Sequence, residues 1–241
     1  MIATFTDFGT ADPYLGQVRA VLHEQSPGVP VVDIFPELPA FNVRAAAYLL
    51  PAYSRYLPAG AICLCVVDPG VGGERAALAV DADGRWYVGP DNGLLSQVIA
   101  QAARIRIYEI TWRPDHLSDS FHGRDLFAPV CAMLARGEPV PGREMDPAEV
   151  ARPDWPADLH QVVYIDHYGN AITGLRAGQL PATASIDIGG LRCERSRTFC
   201  EARPQTAFWY ANGNGLVEIA VARGGAAPAL QLAVGQTFRI R

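Results

Sequence analysis

The hydrophobic pattern of the chain changes between residues 137 and 158, and this change constrains the fold more than any other feature. Up to about residue 135, short apolar runs alternate with longer stretches of helical periodicity, which is typical of a parallel sheet wrapped by helices. The runs that predict strands are IATFT, PVVDIF, AICLCVV, ALAVD and IRIYEI. The stretches that predict helices are PYLGQVRAVLHEQ, NVRAAAYLLPAYSRYL, NGLLSQVIAQA, with Asn92 as its N-cap, and residues 125–136.

The pattern beyond residue 158 is that of a different domain. Short alternating segments such as HQVVYID, ASIDI, AFWYA, GLVEIAV and QTFRIR, separated by Gly and Asn, predict a small barrel or sandwich. The segment between the two patterns has five prolines and no sustained periodicity, which predicts a linker. We therefore expect an α/β domain with a mainly parallel sheet flanked by helices at residues 1–136, a linker at 137–158, and a small all-β, barrel-like domain at 159–241.

Composition argues against several classes of partner. The net charge is −5 and no basic patch is interleaved with aromatic residues, so nucleic acid is not expected as a partner. The longest apolar run is about seven residues, whereas a membrane helix needs roughly 20, so no membrane span is expected. The N-terminal sequence MIATFTDFGT lacks the features of a secretion signal, and the five cysteines have neither zinc-finger nor redox spacing. We expect a cytoplasmic protein with buried, reduced thiols.

The loop VVDPGVGGER (residues 66–75) follows a predicted strand and carries Asp68 and Arg75 on either side of three glycines. It matches neither the dinucleotide-binding pattern nor the P-loop, and its aspartate would repel a phosphate, so a phosphate cradle is disfavoured. Asp7, in TDFGTAD, is a second carboxylate at a predicted strand end. Each aspartate alone is more typical of a turn or a helix cap. Because parallel sheets bind ligands beyond the carboxyl ends of their strands, the two together indicate a site there.

A third group of polar residues lies in PDHLSDSFHGRDLFAP (residues 114–129). Its charged and titratable side chains, within eleven positions, are Asp115, His116, Asp119, His122, Arg124 and Asp125. Such groups can hold a metal, but no recognised ligand spacing is present and the arginine would compete for the carboxylates. The structural alternative is a helix entry capped by Asp119 or Ser120. His122 favours a ligand most, because the adjacent glycine would allow close approach.

No nucleophile is evident in the sequence. There is no G-x-S-x-G turn, and no cysteine lies in a comparable context. Asp, Arg and His side chains without a built-in nucleophile suit the activation of an external water.

In the second domain, YIDHYGNAITG (164–174) places Asp166, Tyr168 and Asn170 around a glycine turn. A plain β-hairpin and a surface that stacks a planar base are equally open interpretations.

The ordered motifs resemble those of one family. TDFGTAD, VVDPGVGGER, GPDNGLL (89–95), SFHGRDLFAP, IDHYGN and GNGLVEIAV are similar to motifs of the S-adenosyl-L-methionine (SAM) hydrolases, or SAM hydroxide adenosyltransferases, relatives of the fluorinating and chlorinating SAM enzymes. The resemblance implies an α/β domain followed by a small β-barrel. It also implies water attack on C5′ of SAM, release of adenosine and L-methionine, and no cofactor or metal. Homotrimers are implied as well, with each active site between the first domain of one subunit and the second domain of the next.

The resemblance also implies the site residues. The family's catalytic Asp, Arg and His correspond to Asp68, Arg75 and His122. Asp7 would bind both ribose hydroxyls and Asp12 the methionine portion. Further substrate contacts are implied at Phe41, Asn92, Phe121, Asp166, Tyr168, Asn170 and Glu218. The chain departs from its relatives at Gly174 and Ala222, where asparagine is frequent.

Two alternatives to metal-independent hydrolysis of SAM remain open at this point. A non-catalytic sensor of SAM or adenosine could use the same pocket, although loss of Asp68 or His122 would have favoured that interpretation and both are present. A metal-dependent hydrolase could use the Asp and His side chains of residues 115–125, and sensitivity to chelators would reveal it.

Overall fold

The computed structural model describes residues 1–150 and 153–241, which form two compact units, Met1–Asp154 and Trp155–Arg241. The strands of the first unit are β1 (Ile2–Thr6), β2 (Val31–Phe35), β3 (Ile62–Val66), β4 (Ala77–Ala82), β5 (Arg85–Pro90), β6 (Ile105–Ile110) and β7 (Gly142–Met145). Its helices are α1 (Pro13–Gln25), α2 (Val43–Ser54), α3 (Ser96–Gln101) and α4 (Ala128–Ala135). All five strands and all four helices predicted from the first part of the sequence are present.

The sheet of the first unit is mixed, so the expectation of a mainly parallel sheet is met only in the half that contains β2, β1, β3 and β5. Its strand order is β2-β1-β3-β5-β4-β6-β7. The pairs β1/β2, β1/β3 and β3/β5 are parallel, while β4/β5, β4/β6 and β6/β7 are antiparallel. The parallel half carries the strand ends on which the predicted site depends.

The antiparallel half begins with a tight hairpin between β4 and β5. Ala82 pairs with Arg85, so only Asp83 and Gly84 form the loop. Both loop residues have positive φ, 51° and 80°, as a type I′ turn requires. Asp-Gly is a favoured sequence for that turn, and the turn fixes the antiparallel pairing of β4 with β5.

The predicted linker contains a strand of the first sheet. β7 pairs with β6 at the sheet edge, from Met145 opposite Ile107 to Gly142 opposite Ile110. An edge strand tolerates flanking prolines. Pro141 and Pro147 flank β7, and for this reason the composition of the segment resembles that of a linker. Residues 151 and 152, also within the predicted linker, lie outside the described residues.

Helices cover both faces of the first sheet. Val18 and Leu22 of α1 join Val130 of α4 in one buried cluster with Ile2 and Leu64 from the sheet. On the opposite face, the hydroxyl of Tyr87 in β5 bonds the hydroxyl of Ser54 in α2 at 3.0 Å. Burial on both faces explains why every residue of β1 and β3 is buried and why β3 is a continuous apolar run.

The second unit is a single seven-stranded sheet in the order β14-β10-β11-β12-β13-β9-β8. The strands are β8 (Leu159–Ile165), β9 (Ala171–Arg176), β10 (Ile186–Ile188), β11 (Leu191–Arg195), β12 (Ala207–Ala211), β13 (Leu216–Val221) and β14 (Arg239–Ile240). Its core is built around Trp209, Val217 and Ile219. The indole N–H of Trp209 donates to the carbonyl of Ala184 at 2.9 Å, so its polar atom is satisfied.

This second sheet nearly closes on itself, as the barrel-like prediction requires. The amide of Val162 in β8 donates to Gln236 at 2.9 Å, and its carbonyl accepts from Gly235 at 2.8 Å, just before β14. These bonds protect an edge that would otherwise be open. The unit is not purely β, however, because a short helix α5 (Ala226–Leu230) follows β13.

Two expectations from composition concerned membrane spans and buried cysteine thiols. Within the described residues, every helix is too short or too polar to cross a membrane. Cys63, Cys65, Cys131 and Cys193 are buried free thiols, whereas Cys200 is exposed, so the prediction of buried thiols was wrong for Cys200. Burial raises the pKa of the Cys63 thiol to about 12, which leaves it without nucleophilic character.

Candidate active site

Asp7 and Asp68 lie beside each other at the carboxyl edge of the parallel strands. β1 and β3 are adjacent, with Thr6 opposite Val66, and one carboxylate follows each strand closely. The amide of Asp7 donates to the Val66 carbonyl at 3.4 Å, so the pairing continues to the strand ends. The structure therefore brings together the two carboxylates that the sequence placed at strand ends.

Asp68 and Arg75 form a buried ion pair across the glycine-rich loop. The Nε of Arg75 donates to both carboxylate oxygens of Asp68, at 3.0 and 3.2 Å, and its Nη2 also bonds Oδ2. Only 4% of the Asp68 side chain and 12% of the Arg75 side chain are exposed. The guanidinium lies over the ring of Phe127, 5.3 Å from its centroid, which adds a cation–π contact. These contacts fix the plane and position of Arg75.

His122 joins this pair through the same guanidinium group. Arg75 Nη2 lies 3.0 Å from His122 Nδ1. A guanidinium has only donors, so Nδ1 must accept, and the proton of the neutral ring is on Nε2. The pKa of His122 is lowered from 6.5 by burial and by the positive charge of Arg75, which keeps the ring neutral at pH 7. Asp68, Arg75 and His122 thus form one hydrogen-bonded unit with an imidazole N–H left for a further partner.

Close packing of two loops holds this unit together. Gly72, between Asp68 and Arg75, has φ of 81°, and a Cβ there would be 2.4 Å from the carbonyl oxygen of Asp119. The 68–75 loop and the loop that leads to His122 therefore meet backbone to backbone. Glycine is required because a side chain would both clash and strain the turn.

The residues between 115 and 125 build a helix entry. A π-helical turn, Gly123–Phe127, starts after His122 and continues into α4. Asp125 accepts from the Ser118 amide at 3.0 Å and from Arg124, which reaches Gln17 of α1 at 2.9 Å. The carboxylate of Asp125 is therefore occupied by hydrogen bonds within the loop.

Among residues 1–150 and 153–241, no three His, Cys, Asp or Glu side chains gather in a way that could hold a metal ion.

A cavity of about 350 Å³ opens beside the trio. The sequence-predicted residues that line it are Asp7, Asp12, Phe41, Asp68, Phe121 and His122. Arg75 does not line it and lies behind Asp68. Sequence reasoning missed Phe8 and Tyr14, whose rings pack edge to face with Phe121 at centroid distances of 5.8 and 5.5 Å. The available signal was the strand-end motif TDFGTAD, which contains Phe8 and ends two residues before Tyr14.

Asp7 is held at the edge of this cavity by the main chain. Its Oδ2 accepts the amide of Phe41 at 2.9 Å. Burial raises the pKa of the Asp7 carboxyl, and the Phe41 hydrogen bond opposes that rise by favouring the charged form. Asp7 can therefore present an oriented carboxylate to hydroxyl donors.

Asn92 has a supporting position next to the trio. Its Nδ2 donates to the carbonyl of Val67, adjacent to Asp68, at 2.9 Å, and its Oδ1 accepts the amide of Leu94 at 3.1 Å. The predicted role as helix N-cap was wrong, because α3 starts only at Ser96, after Leu95. Asn92 instead ties the segment before α3 to the end of β3.

The second unit has its own polar pocket of about 770 Å³. The predicted residues Asp166, Tyr168, Asn170 and Glu218 all line it. Asp166 organises the hairpin turn, since its Oδ1 accepts the amides of Tyr168 and Asn170 at 2.9 and 2.8 Å. The Tyr168 side chain is free to meet a ligand, because the residue is 77% exposed. The hairpin and the aromatic-surface interpretations therefore describe the same loop.

Glu218 is the buried charge of this second pocket, only 5% exposed. Its carboxylate accepts the hydroxyl of Tyr210 and the amide of Asn212, the latter at 3.0 Å. Burial raises its pKa, the two bonds oppose the rise, and the charge of Asp166 adds to it. Sequence reasoning missed Tyr210 and Asn212, although Tyr210 is the half-buried residue next to the buried Trp209 in the predicted strand AFWYA.

Comparison with known proteins gives a consistent family. The model of the SAM hydroxide adenosyltransferase N-terminal domain matches residues 2–143, and that of the C-terminal domain matches residues 160–239. A protein of Thermus thermophilus named (R)-S-adenosyl-L-methionine hydrolase is 40% identical, over 98% of this chain and 97% of its own length. A fluorinase of Actinopolyspora mzabensis is more distant, 26% identical over 78% of this chain and 75% of its own length.

Solved structures agree with the sequence comparison. The crystal structure of an uncharacterized conserved protein from Thermotoga maritima covers 100% of this chain and 99% of its own length, with a TM-score of 0.91 and 28% identity. The two family models together match most of the chain, in the order that the motifs implied. The chain belongs to the SAM hydroxide adenosyltransferase family.

Proposed function

We propose that the protein hydrolyses SAM, with water attacking C5′ to give adenosine and L-methionine. The observation that carries the proposal is the Asp68–Arg75–His122 unit beside an open cavity, in a chain whose relative at 40% identity is named as a SAM hydrolase. In this reaction the water oxygen bonds to C5′ as the bond from C5′ to sulfur breaks. The electron pair stays on sulfur and the water loses one proton.

The chemistry explains why such a unit would suffice. The leaving group departs as a neutral thioether, so no oxyanion has to be stabilised. Water is a weak nucleophile, and the protein must orient it in line with the breaking bond and accept its proton. Aligned donors can contribute further by stabilising hydroxide character in the transition state.

The hydrogen bonds divide the roles among the three residues. His122 Nδ1 is occupied by Arg75, so the free Nε2–H would donate to the water oxygen and orient it. Asp68 keeps lone pairs beyond those that Arg75 uses, so its carboxylate would accept the proton. Arg75 would hold both partners in place from behind the cavity. In this account His122 positions the nucleophile and Asp68 is the base.

The cavity residues would hold the rest of the substrate. The carboxylate of Asp7 would accept from both ribose hydroxyls. Asp12 would meet the methionine portion, and the rings of Phe41 and Phe121 would provide apolar contacts. SAM would be the substrate, and no cofactor would take part.

The pocket of the second unit would complete the site from a neighbouring copy. We include in the proposal a homotrimer in which the Tyr168 ring and the polar groups of Asn170 and Glu218 meet SAM bound to the first unit of the next subunit. The support is the pocket's composition, an exposed aromatic ring beside amide and carboxylate groups, which suits a planar base and an amino acid. Light scattering should give three times the chain mass of 26.0 kDa.

Product analysis tests the activity. We expect purified protein incubated with SAM and EDTA to form adenosine and methionine in equal amounts, and Asp68→Asn to reduce the rate at least 100-fold. Activity that disappears with EDTA would favour the metal-dependent alternative. Binding of SAM without any adenosine would favour the sensor.

A further inference from the structure

The backbone of Phe41 has a conformation that bulky residues rarely adopt. Its φ is 60°, in the left-handed region. The amide of Asn42 donates to the carbonyl of Pro39 at 3.0 Å, so Phe41 is the third residue of a tight turn. Glycine or asparagine normally occupies that position when φ is positive. The chain therefore maintains a strained residue where a relaxed one was available.

Packing of the ring does not explain this strain. Phe41 is 76% exposed, so few contacts with the rest of the chain hold the ring in place. Asn42, the next residue, caps α2 by accepting the Ala45 amide at 3.0 Å. This cap requires the turn to end at Asn42 but does not require a phenylalanine at position 41. Strained residues that persist without a packing reason are concentrated at functional sites.

The consequence of the strained turn is the direction of one N–H group. The amide of Phe41 points at Asp7 and donates to Oδ2 at 2.9 Å, next to the cavity that both residues line. Asp7 follows β1, and Phe41 precedes α2, so this bond joins two elements 34 positions apart in the chain. The Phe41 amide itself bonds only Oδ2 of the carboxylate.

We infer that Phe41 is a positioning residue for Asp7: its left-handed backbone aims an amide that orients the carboxylate towards ligand hydroxyls. The inference rests on the proposed function only for the identity of those hydroxyls, which would be the cis pair of adenosine. The contribution of the backbone is separate from any contact that the aromatic ring makes.

Three variants without the ring separate backbone from side chain. Phe41→Gly and Phe41→Asn tolerate positive φ, whereas the β-branched residue of Phe41→Val opposes it. We expect Phe41→Gly and Phe41→Asn to bind adenosine at least fivefold more tightly than Phe41→Val in calorimetry. We also expect a higher Asp7 pKa in Phe41→Val than in Phe41→Gly, measured by carbon-13 NMR of the carboxyl group. If Phe41→Val does not fold, Phe41→Ala replaces it as the variant whose side chain disfavours positive φ.

A matched pair controls for stability. Asp83 also has positive φ, and its turn precedes β5 at the amino ends of the parallel strands, whereas Asp7 follows β1 at their carboxyl ends. Asp83→Gly and Asp83→Val should therefore differ in melting temperature but not in adenosine affinity. Equal affinities and an equal Asp7 pKa across the ringless Phe41 variants would overturn the inference. If the wild type does not turn over SAM but the Asp7 pKa still differs, only the proposed reaction fails.

Discussion

At the scale of residues, the central feature is a guanidinium shared by two partners. Arg75 binds the Asp68 carboxylate and the His122 imidazole at the same time, and it is itself largely shielded from solvent. Removing it would leave Asp68 buried without its counter-charge, a change that typically costs about 3–5 kcal/mol. Arg75→Ala would therefore confuse stability with catalysis, and variants of His122 are better probes of the roles.

Two substitutions of His122 test whether it orients water or takes the proton. The oxygen of His122→Asn can replace Nδ1 as the acceptor for Arg75, and the amide of His122→Gln can replace the Nε2–H donor. If His122 only orients water, at least one of the two should keep tenfold more kcat than His122→Ala. If both are as slow as His122→Ala, the imidazole itself takes the proton and the assignment to Asp68 is wrong.

The lowered pKa of His122 predicts the acid side of the pH profile. Protonation of Nδ1 would break its bond with Arg75, and burial and the nearby cation delay that protonation to below pH 6.5. We expect kcat/KM, which reports the pKa values of the free enzyme, to decrease on the acid side only below about pH 6.5. This decrease on the acid side should be absent in His122→Gln. A decrease with its midpoint above pH 6.5 in the wild type would contradict the account.

The free energy of unfolding should also depend on pH through the protonation of His122. The unfolded chain takes up the His122 proton near pH 6.5, while the folded protein does so only at lower pH. The unfolded state then binds more protons, so the free energy of unfolding decreases as the pH falls below 6.5 towards the folded pKa. Comparison of urea unfolding of the wild type and His122→Gln at pH 7 and pH 5.5 measures this contribution, which should be smaller in the variant.

At the scale of elements, the site depends on the packing of the 68–75 loop against the segment before His122. Gly72→Ala would place a Cβ 2.4 Å from the Asp119 carbonyl oxygen and oppose a φ of 81°. We expect kcat/KM to fall on the order of 100-fold, as displacements of about 1 Å in a site can cause. Gly70→Ala in the same loop is the control, since its Cβ would meet nothing within 4 Å. Equal activity of both variants would show that the loop packing does not position the trio.

The elements also show where sequence patterns suffice. Long periodic stretches such as α1 were predicted with their bounds, because Pro13 and an amphipathic face mark the helix. β5 was missed although the Asp-Gly turn before it is a strong hairpin signal. β7 was missed because an edge strand needs only partial burial and tolerates neighbouring prolines, so its composition resembles that of a linker.

At the scale of the whole molecule, the chain carries two separate groups of polar and aromatic residues, one in each unit. Sequence motifs predicted the members at strand ends and turns, such as Asp7, Asp68 and Asp166, because those positions are fixed by the elements. They did not predict Phe8, Tyr14 or Tyr210, because aromatic residues are common in cores as well as in sites. At these three positions only tertiary structure distinguishes the two.

The proposed trimer predicts complementation between subunits. Asp68→Asn alters the first unit and Tyr168→Ala the second. If each site combines two copies, coexpression of the two variants should leave about a quarter of the sites intact, since each of two neighbours is the suitable copy about half the time. We expect recovery of about that fraction of wild-type turnover at low SAM concentration. Recovery no greater than the mean of the two separate variants would contradict shared sites.

The claim that water attacks C5′ can be tested most directly with oxygen-18. The protein is incubated with SAM in labelled water, and the adenosine product is examined by mass spectrometry, with an enzyme-free sample as control. The account predicts one labelled oxygen in adenosine, located on C5′, and none in methionine. Label in methionine, or adenosine without label, would contradict attack at C5′ and with it the proposed roles of Asp68 and His122.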